Sequence, residues 1–364
     1  MKKLVLAGGG HAHLETLTNL KKFGPYTEKI VISPDENLLY SGMAPGLLEG
    51  RYSKDQFSIN IKKITKRQGA SFIKDRLIKI EPEQNILILD SGKKIKYDLL
   101  SVNTGSITKE NIPIQNSKNI INVKPIDNLL NLNEILNKKS KDKKCNVAVI
   151  GAGAAGVEIA ATMASIRKRC ANSRVTLFSG GYFLPIFPKR FKDIAFKYLL
   201  SRNIKIESSP IKKIDNNIIQ TGKNEDFYEI IVVATGTMAH DIFIKSGIPA
   251  SPYGDMKVNN FLQSIKYKNI FGGGDCIYFE NHSLVKAGVH AVKEGKILYH
   301  NLLNFHKNKA LKKFIPEDDF LQILNLGKGE AVLKKKRLIL KGRSAFILKD
   351  LIDKNFIRKF KMLE

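Results

Sequence analysis

The stretch MKKLVLAGGGHAHLET, residues 1–16, decides the fold. Residues 4–7 form a short apolar run with strand character, three glycines starting at Gly8 follow at once, and a helical segment is expected to open at His11. A strand, a glycine turn and a helix N-terminus in this order form a diphosphate site. Glycine lets the backbone approach the phosphates, and the exposed N–H groups hold their charge. A single motif of this kind is weak evidence for a bound nucleotide.

A second motif of the same kind, VAVIGAGAAG, occupies residues 147–156. Its helix is expected to start directly after its strand, and this context supports a dinucleotide strongly. The next strand ends in LFSGG, residues 177–181, where an acidic residue is expected to bind the ribose 2′-OH of NAD. The sequence has neither that residue nor an adjacent basic residue for a 2′-phosphate, so NADH and NADPH both stay open. A Rossmann-like unit that no longer binds the cofactor is the alternative interpretation.

The first motif departs from the G-x-G-x-x-G pattern, because His13 stands where the third glycine is expected. That glycine normally lets the helix and strand pack closely, so we expect a slightly displaced helix within residues 12–23. A histidine at a helix start is more often packed or hydrogen-bonded than catalytic. His11 and His13 are therefore expected to support the phosphate turn.

Composition narrows the class of protein. The 364 residues include 61 Lys and Arg against 34 Asp and Glu, a formal charge of +27. This excess fits either a Lys-, Ile- and Asn-rich background or a surface that binds an anionic partner, and no zinc-finger, helix-turn-helix or RNA-recognition motif favours nucleic acid. The three cysteines, Cys145, Cys170 and Cys276, form no C-x-x-C motif, which indicates a reducing compartment and no metal site.

We predict no membrane span. The apolar start of the chain is cut short by the glycines from Gly8 onward. The apolar stretch 147–166 contains Glu158 and three glycines, and it is better interpreted as a strand, a turn and a buried helix.

Each glycine motif is followed by an apolar strand ending in Thr-Gly. The two strands are YDLLSVNTG, residues 97–105, and YEIIVVATG, residues 228–236, a weak internal repeat. The charged run KKSKDKK, residues 138–144, is interpreted as a hinge between the two halves.

A third glycine run, NIFGGGDC at residues 269–276, places Asp275 where a carboxylate can accept hydrogen bonds from sugar hydroxyls. A helix is expected over residues 284–305, with Lys286 and His290 in its first turns. A helix N-terminus beside an electron-accepting ring would stabilise the reduced anion. A solvated lysine is the alternative interpretation of Lys286.

The tail is basic and apolar in alternation. Within residues 344–360, Leu348, Ile352, Phe356 and Phe360 recur at four-residue spacing, a pattern that predicts an amphipathic basic helix. The sequence leaves two contact surfaces open for the apolar face of this helix. One is an anionic membrane surface, and the other is the protein's own first domain or a dimer partner.

The order of these motifs, GGGHAH, YSGMAPG, VNTG, GAGAAGVE, VATG and GGGDC, resembles the pyridine nucleotide-disulfide oxidoreductase superfamily of two-dinucleotide flavoproteins. The chain is particularly similar to a branch close to type II NADH dehydrogenases that is found fused to the N-terminus of selenide, water dikinase. The similarity rests on the glycine-histidine start, the YSGMAPG stretch, the KAGVHAV run and a tail like KDLIDKNFIRKF at residues 349–360. It covers nearly the whole chain.

The resemblance implies FAD in one domain and NAD(P)H in the other. Its implied FAD-binding residues are Gly8, Gly9, Gly10, His11 and Ala12 at the diphosphate, Ser33 or Asp35 at the adenosine ribose, Ser41, Gly42 and Met43 near the flavin, Thr104 and Gly105, and Gly274 and Asp275 at the ribityl chain. Its implied pyridine-nucleotide residues are Gly151, Gly153, Gly156, Ser179 and Gly236, with Glu158 positioning the nicotinamide.

One departure from the superfamily concerns redox chemistry. No C-x-x-x-x-C pair follows the first motif, so the flavin cannot pass electrons to a neighbouring disulfide. Cys276 alone lies near the expected flavin region. It is a candidate reactive thiol, with an inert buried thiol as the alternative.

We therefore predict an α/β protein with two Rossmann-like three-layer dinucleotide-binding domains and a C-terminal segment. Residues 1–110 and 240–320 are expected to form the FAD domain, 111–239 the NAD(P) domain, and 321–364 an interface or membrane-associating segment.

The predicted activity passes hydride from NAD(P)H to FAD and the electrons on to a quinone-like acceptor. Glu158, Lys286 and Cys276 are the candidate catalytic residues. The alternatives are a sulfide- or selenium-linked flavoprotein, which would need Cys276 with Cys145 or Cys170, and a non-catalytic nucleotide-binding module. We expect a cytoplasmic protein, either unattached or peripheral on the cytoplasmic membrane face through residues 344–361, with a homodimer as a further option.

Overall fold

The structure of the chain is a computed structural model that describes residues 1–109, 111–138, 145–164, 173–222, 224–280, 284–317 and 319–364. Most of the predicted hinge at 138–144, the end of the second-motif helix and Cys170 lie outside the described residues.

The first motif lies in a five-stranded parallel sheet of order β22-β9-β1-β2-β5. Residues 4–7 of its central strand are all buried, as expected for a strand covered on both faces. The five strands are β1 (Lys2–Ala7), β2 (Thr27–Ser33), β5 (Ser71–Lys74), β9 (Leu99–Val102) and β22 (Ile270–Gly272).

The second motif lies in a separate five-stranded parallel sheet of order β12-β19-β13-β14-β15. Its strands are β12 (Ile120–Asn122), β13 (Val147–Ile150), β14 (Val175–Phe178), β15 (Lys205–Glu207) and β19 (Ile230–Val233). The predicted repeat is confirmed. In each sheet the Thr-Gly strand lies beside the central strand that leads into the glycine turn. Strand β9 pairs with β1 in the first sheet, and β19 pairs with β13 at the equivalent position of the second.

The two Thr-Gly ends connect the halves. After Gly105 and Gly236 the chain forms β10 (Ile107–Thr108) and β20 (Thr237–Met238), which pair antiparallel. The remaining strands build small sheets around the two large ones: β3 (Asn37–Leu39) with β4 (Ser58–Asn60), β6 (Leu77–Glu81) with β7 (Ile86–Leu89) and β8 (Lys94–Lys96), β11 (Ile114–Gln115) with β16 (Lys213–Asp215), β17 (Ile218–Gln220) and β18 (Glu225–Phe227), and β21 (Met256–Val258) with β23 (Ile277–Phe279).

Helices cover the sheets, and the C-terminal segment adds one more layer. The helices are α1 (Leu14–Leu17), α2 (Ala44–Leu48), α3 (Ile61–Arg67), α4 (Asn128–Asn137), α5 (Ala154–Met163), α6 (Lys189–Ser201), α7 (Ile242–Lys245), α8 (Gly288–His306) and α9 (Arg343–Lys361). The C-terminal segment forms the antiparallel sheet β24 (Gln322–Asn325), β25 (Ala331–Lys335) and β26 (Leu338–Gly342), followed by α9. In the described ranges, no helix is long and apolar enough to cross a bilayer.

The helix predicted over residues 12–23 is instead a series of short turns. A 3-10 turn at His11–His13 leads into the four-residue α1, and a second 3-10 turn follows at Leu20–Phe23. The side chains of Thr18 and Asn19 both donate to the carbonyl of Glu15, at 3.0 and 2.9 Å. Such local side-chain bonds compete with regular helical ones, which explains the early end of α1.

The helix predicted from residue 284 begins only at Gly288. Ala287 is still extended, with φ −145° and ψ 139°. The preceding segment is held by Lys286, whose ammonium donates to the carbonyls of Asp275 and Ile277 at 2.9 and 2.6 Å. Lys286 therefore lies before the helix and not in its first turn.

Candidate functional site

A cavity of about 540 Å³ opens at the carboxyl ends of the strands of the first sheet. This is the edge at which open parallel sheets bind ligands. The structure brings eleven of the predicted FAD-binding residues to this cavity: Gly8, Gly9, Gly10, His11, Ser33, Asp35, Ser41, Thr104, Gly105, Gly274 and Asp275. Ala12, Gly42 and Met43, which were also predicted, lie outside its lining.

Asn103 connects the segments that line this cavity, a role that the sequence did not predict for it. Its Oδ1 accepts from the Ala12 N–H at 3.1 Å, and its Nδ2 donates to the Gly273 carbonyl at 2.5 Å. A Cβ on Gly10 would lie 2.3 Å from Asn103 Oδ1. The first glycine turn, the end of β9 and the third glycine run therefore meet at one buried amide. The Ala12 N–H is therefore already paired with a side chain of the protein.

His13 replaces the third glycine for a structural reason. Its ring is fully buried, with Nδ1 2.6 Å from the Gly8 carbonyl and Nε2 2.8 Å from Ser101 Oγ. A carbonyl only accepts, so Nδ1 donates to Gly8 and Nε2 accepts from the Ser101 hydroxyl. Burial lowers the pKa of His13 to about 4 and keeps the ring neutral. A 3-10 turn, His11–His13, lies at this position in place of the displaced helix that the sequence predicted.

His11 offers a polar group to a ligand. Its Nε2 is buried and has no hydrogen-bond partner among the described residues. Burial, with a contribution from Lys124, lowers the pKa of His11 to about 4, so the ring is neutral. Its ring lies 5.5 Å from the Tyr40 ring and 6.2 Å from the Phe356 ring, centroid to centroid. An orphaned buried nitrogen beside a glycine turn and an apolar-lined cavity fits the diphosphate and flavin parts of FAD.

Asp275 lies where a ribityl-binding carboxylate was predicted. Its Oδ2 accepts from Ser106 Oγ at 2.9 Å and from Lys124 Nζ at 3.2 Å. Although burial opposes ionisation, Lys124, Ser106 and Lys286 together lower the pKa of Asp275. Its carboxylate is therefore ionised and can accept further hydrogen bonds from hydroxyl groups. Ser106 and Lys124 are site residues that sequence reasoning missed, because neither belongs to a recognisable motif.

Lys286 stabilises the backbone turn that carries Asp275. Besides the two carbonyls, its ammonium forms an ion pair with Asp255 Oδ1 at 3.0 Å, so all three of its protons have acceptors. Neither interpretation of the sequence anticipated this arrangement. Lys286 has acceptors for all its protons and so is not a solvated lysine, and it does not line the cavity of about 540 Å³. Its position assigns it to holding the Asp275 turn.

Cys276 has the properties of an inert thiol. It is fully buried, and its Sγ lies 3.4 Å from the Gly273 carbonyl. Burial raises the pKa of Cys276 to about 11, which disfavours the nucleophilic thiolate. Cys145 is also buried, and the two form no disulfide within the described part of the chain.

The second motif presents an exposed helix start. Gly151 has φ +101°, and a Cβ on Gly156 would lie 1.8 Å from the Gly151 carbonyl oxygen, so both positions require glycine. Gly153 and the first two residues of α5 are exposed, which leaves the helix N-terminus open to a phosphate. Ser179 follows β14, and its Oγ donates to the Glu207 carbonyl at 3.2 Å.

Glu158 on α5 lies toward the C-terminal helix. Its Oε1 accepts from the Asn325 N–H at 2.7 Å. Burial and, to a smaller extent, the Asp353 charge raise the pKa of Glu158 to about 7, against the opposing effect of Lys349. Lys349 Nζ in turn donates to Asp353 Oδ2 at 2.6 Å and to the Gly42 carbonyl at 2.5 Å. Glu158 is thus linked electrostatically to the YSGMAPG loop through two residues of α9.

Helix α9 packs on the first domain with one face. That face carries Phe346, Lys349, Asp353, Ile357 and Phe360, all buried. The Phe356 ring stacks on Tyr40 at 4.6 Å, and Tyr40 donates to Asp353 Oδ1 at 3.1 Å. The predicted stripe is therefore only half correct, because Leu348 and Ile352 face outward.

Comparison with known proteins places the chain among nucleotide-dependent oxidoreductases. The model of the family described as pyridine nucleotide-disulphide oxidoreductase matches residues 2–295. Ferroptosis suppressor protein 1 of Xenopus tropicalis is 26% identical over 359 residues, covering 91% of this chain and 87% of that protein. The type II NADH:quinone oxidoreductase of Haemophilus influenzae is 24% identical, with 86% and 83% covered.

The fold agrees with a solved structure. The structure of NDH2 from Plasmodium falciparum in complex with NADH superposes with a TM-score of 0.84 and 18% identity, covering 100% of this chain and 96% of that one. The two Rossmann-like sheets and the family match over most of the chain lead to one conclusion. This chain belongs to the pyridine nucleotide-disulphide oxidoreductase family.

Proposed function

We propose that this chain is an FAD-dependent oxidoreductase that takes hydride from NAD(P)H and passes the electrons to a quinone-like acceptor. One observation carries the proposal. Two glycine motifs in one chain each follow the central strand of a separate parallel sheet, and the first borders a cavity of about 540 Å³ whose polar groups fit FAD. When bound, FAD supplies the hydride-accepting chemistry.

The residues of the chain bind and orient the two nucleotides. The turn from Gly8 to His11 would hold the FAD diphosphate, and Asp275 would accept from the ribityl hydroxyls while Ser106 and Lys124 fix its position. The exposed start of α5 would hold the pyridine nucleotide, with Glu158 further along the same helix toward the nicotinamide. Holding the donor in near-attack geometry is the main contribution expected of these groups.

The domain division is part of this proposal. Residues 1–110 and 240–320 would hold FAD, and residues 111–239 would hold NAD(P)H. Support comes from the sheets, since one draws its strands from residues 2–102 and 270–272 and the other from residues 120–233. Residues 321–364 would be the interface segment, as β24 lies beside Glu158 and α9 beside Tyr40.

The quinone class of acceptor is supported by the name of the Haemophilus influenzae relative, an NADH:quinone oxidoreductase. A sulfide-linked activity is a weaker candidate, because it would require a reactive thiol. Cys276 is buried with a pKa near 11, whereas reactive cysteines have lowered pKa values and partial exposure.

An absorption spectrum followed by anaerobic titration tests this function. We expect a yellow protein whose flavin absorbance is bleached by NADH or NADPH and restored by a short-chain quinone. Titration with sulfide is the matched control and is expected to leave the flavin oxidised. A protein that carries flavin but is bleached by no donor would contradict the enzymatic function, and a protein that binds no flavin would contradict the FAD site.

We also propose that the outer face of α9 lies on an anionic membrane surface on the cytoplasmic side. Ile347 and Leu351 are 57% and 54% exposed, and Leu348 and Ile352 are also exposed. Leu338 and Leu340 on the adjoining β26 extend this apolar surface. Basic side chains surround it, as is usual for helices that lie in a membrane interface.

Substitutions on the outer face test this location better than a truncation would. Deleting residues 344–364 would also remove Lys349, Asp353 and Phe356 from the first domain. Replacing Ile347, Leu348, Leu351 and Ile352 with glutamine leaves the inner face intact. We expect this variant to keep its flavin and to lose co-sedimentation with vesicles containing phosphatidylserine. Unchanged sedimentation would contradict the membrane proposal, and conversion of a dimer to a monomer would assign the face to a second copy.

A further inference from the structure

Glu294 is a buried carboxyl group that no motif identified. It lies in the second turn of α8 with 3% of its surface exposed. Its Oε2 accepts from the Gly274 N–H at 2.5 Å. Asn103 holds the carbonyl of the preceding Gly273, so the two side chains fix opposite sides of the turn that carries Asp275.

The carboxyl group also lies close to the phosphate-binding turn. A Cβ on Gly273 would be 2.8 Å from Ala12 Cβ and 3.5 Å from Glu294 Oε2. A Cβ on Gly295 would be 3.0 Å from the Ala12 carbonyl oxygen. One glycine residue therefore separates Glu294 from the end of the first motif, where the FAD diphosphate is placed by the proposed function.

Glu294 borders a space that can hold a proton carrier. It lines a small cavity of about 30 Å³, next to the flavin cavity, with which it shares Gly274, Asp275 and Ala291. A cavity of that size with polar walls has room for one water.

Burial brings the titration of Glu294 close to neutral pH. Burial and, to a smaller extent, the Asp275 charge raise the pKa of Glu294 to about 7, against the opposing effects of the Gly274 N–H and Lys286. The titratable groups on elements packed around it include Asp275 and Cys276 on the third glycine run, Tyr278 in the wall of the same cavity, Lys286 before α8, His290 on α8, His11 and His13 on the first turn, and Glu15 on α1. His11 and His13 have pKa values near 4 and remain neutral at and above neutral pH, and Glu15 pairs with Lys359.

We propose that Glu294 is a positioning residue for FAD that takes up one proton when FAD occupies the cavity. This inference rests on the proposed function, since it assumes that the cavity holds FAD. The diphosphate brings negative charge to the turn next to Glu294, and a nearby like charge favours the neutral form of a carboxyl group. In molecules in which Glu294 is ionised, binding transfers a proton from solvent to a Glu294 oxygen, release returns it, and no electron moves in this step. FAD affinity then falls as the pH rises above neutral.

The test measures FAD affinity of the apoprotein by flavin fluorescence quenching at pH values of about 6.5, 7.5 and 8.5. For the wild type, we expect affinity to fall about five- to tenfold over this range, because above neutral pH a growing share of the unbound protein must take up a proton to bind. E294Q keeps an acceptor for Gly274 but cannot ionise, so it should bind with the low-pH affinity at every pH. E294L loses the acceptor and should bind weakly at every pH.

Controls separate this effect from general loss of charge or of folding. E28Q removes a surface carboxylate of the same domain, which pairs with Lys3, and should keep the wild-type pH slope. Calorimetry of the wild type at pH 7.5 in two buffers with different ionisation enthalpies measures proton uptake directly, so the proposal is tested even if a variant fails to fold. Equal slopes for wild type and E294Q, or no proton uptake by the wild type, would overturn the proposal. Absence of FAD binding at every pH would overturn the proposed function instead.

Discussion

At the residue scale, Asn103 joins three segments that come from distant parts of the chain. Truncating it leaves the Ala12 N–H buried without its acceptor and the Gly273 carbonyl with only the weak Cys276 thiol as a donor. We expect N103A to lower the free energy of unfolding of the apoprotein by about 2–4 kcal/mol, because each unpaired buried group costs about 1–3 kcal/mol. FAD affinity should fall with it. Urea unfolding and flavin fluorescence give the two values.

The control for this variant is N304A, since the Asn304 side chain bonds the Ala310 carbonyl at an exposed position. Its cost should stay below about 1 kcal/mol, the usual net value of one hydrogen bond. If N103A is as stable as N304A, Asn103 does not have the structural role assigned to it.

A substitution at Gly156 tests whether the second glycine motif binds the pyridine nucleotide and not FAD. A Cβ there would meet the Gly151 carbonyl oxygen at 1.8 Å and force the second glycine turn open. We expect G156A to retain FAD and to need at least about tenfold more NADH for bleaching, since overpacking by one methyl group commonly costs about 1–3 kcal/mol. G222A is the control, because nothing in the described structure lies within 4 Å of its added Cβ. Loss of FAD from G156A would contradict the assignment of the second motif to the pyridine nucleotide.

At the element scale, α9 contains two Lys–Asp pairs with the same four-residue separation and opposite environments. Lys349 and Asp353 are buried, whereas Lys354 is exposed and Asp350 is half-buried with a hydrogen bond from Tyr52, and each pair is 2.6 Å apart. We expect K349M to lower stability by about 3–5 kcal/mol, because it leaves the Asp353 charge buried and uncompensated. K354M should cost less than about 1 kcal/mol.

The double variant K349M/D353L checks the cause. Removing both charges should recover most of the stability lost in K349M, since no uncompensated charge then remains. Denaturant unfolding of the four proteins decides the question. Equal costs for K349M and K354M would show that α9 is not held on the first domain by the buried pair.

At the scale of the whole molecule, buried ionisable groups give the stability a pH dependence. The pKa of Glu158 is raised from 4.5 to about 7 in the folded state, so the folded protein binds more protons than the unfolded chain between these values. Its favourable contribution is complete below about pH 4.5 and is lost as the pH rises through 7. His11 and His13, with pKa values lowered to about 4, stabilise above pH 6.5 and lose that contribution as the pH falls through 4.

The variant E158Q isolates the contribution of Glu158 to this pH dependence. Relative to the wild type, we expect it to gain stability as the pH rises from about 5 to 7, by about 1–3 kcal/mol in total, because the glutamine has no charge to desolvate. Thermal unfolding of the apoproteins at a series of pH values measures the difference. A constant difference across this range would contradict the raised pKa of Glu158.

The sequence by itself determined both Rossmann-like units and most of the lining of the cavity of about 540 Å³. An apolar strand, a glycine turn and a helix start are encoded by contiguous residues, and parallel strands bring their carboxyl ends to one edge. This is why eleven predicted residues, from Gly8 to Asp275, line one cavity. The Thr-Gly strands were also predictable, because each repeats the same local pattern next to its own motif.

Only the tertiary structure decided the roles that depend on distant partners. Lys286 turned from a candidate for flavin stabilisation into a support for Asp275, because Asp255 and two carbonyls surround its ammonium. Asn103 and Glu294 gained their roles because segments far apart in sequence pack against them. In α9 the apolar spacing predicted only half of the inner stripe, since Phe356 and Phe360 face the protein and Leu348 and Ile352 do not. The buried face is chosen by its partners, and Tyr40 and the Gly42 carbonyl satisfy a charged pair that no hydrophobic pattern encodes.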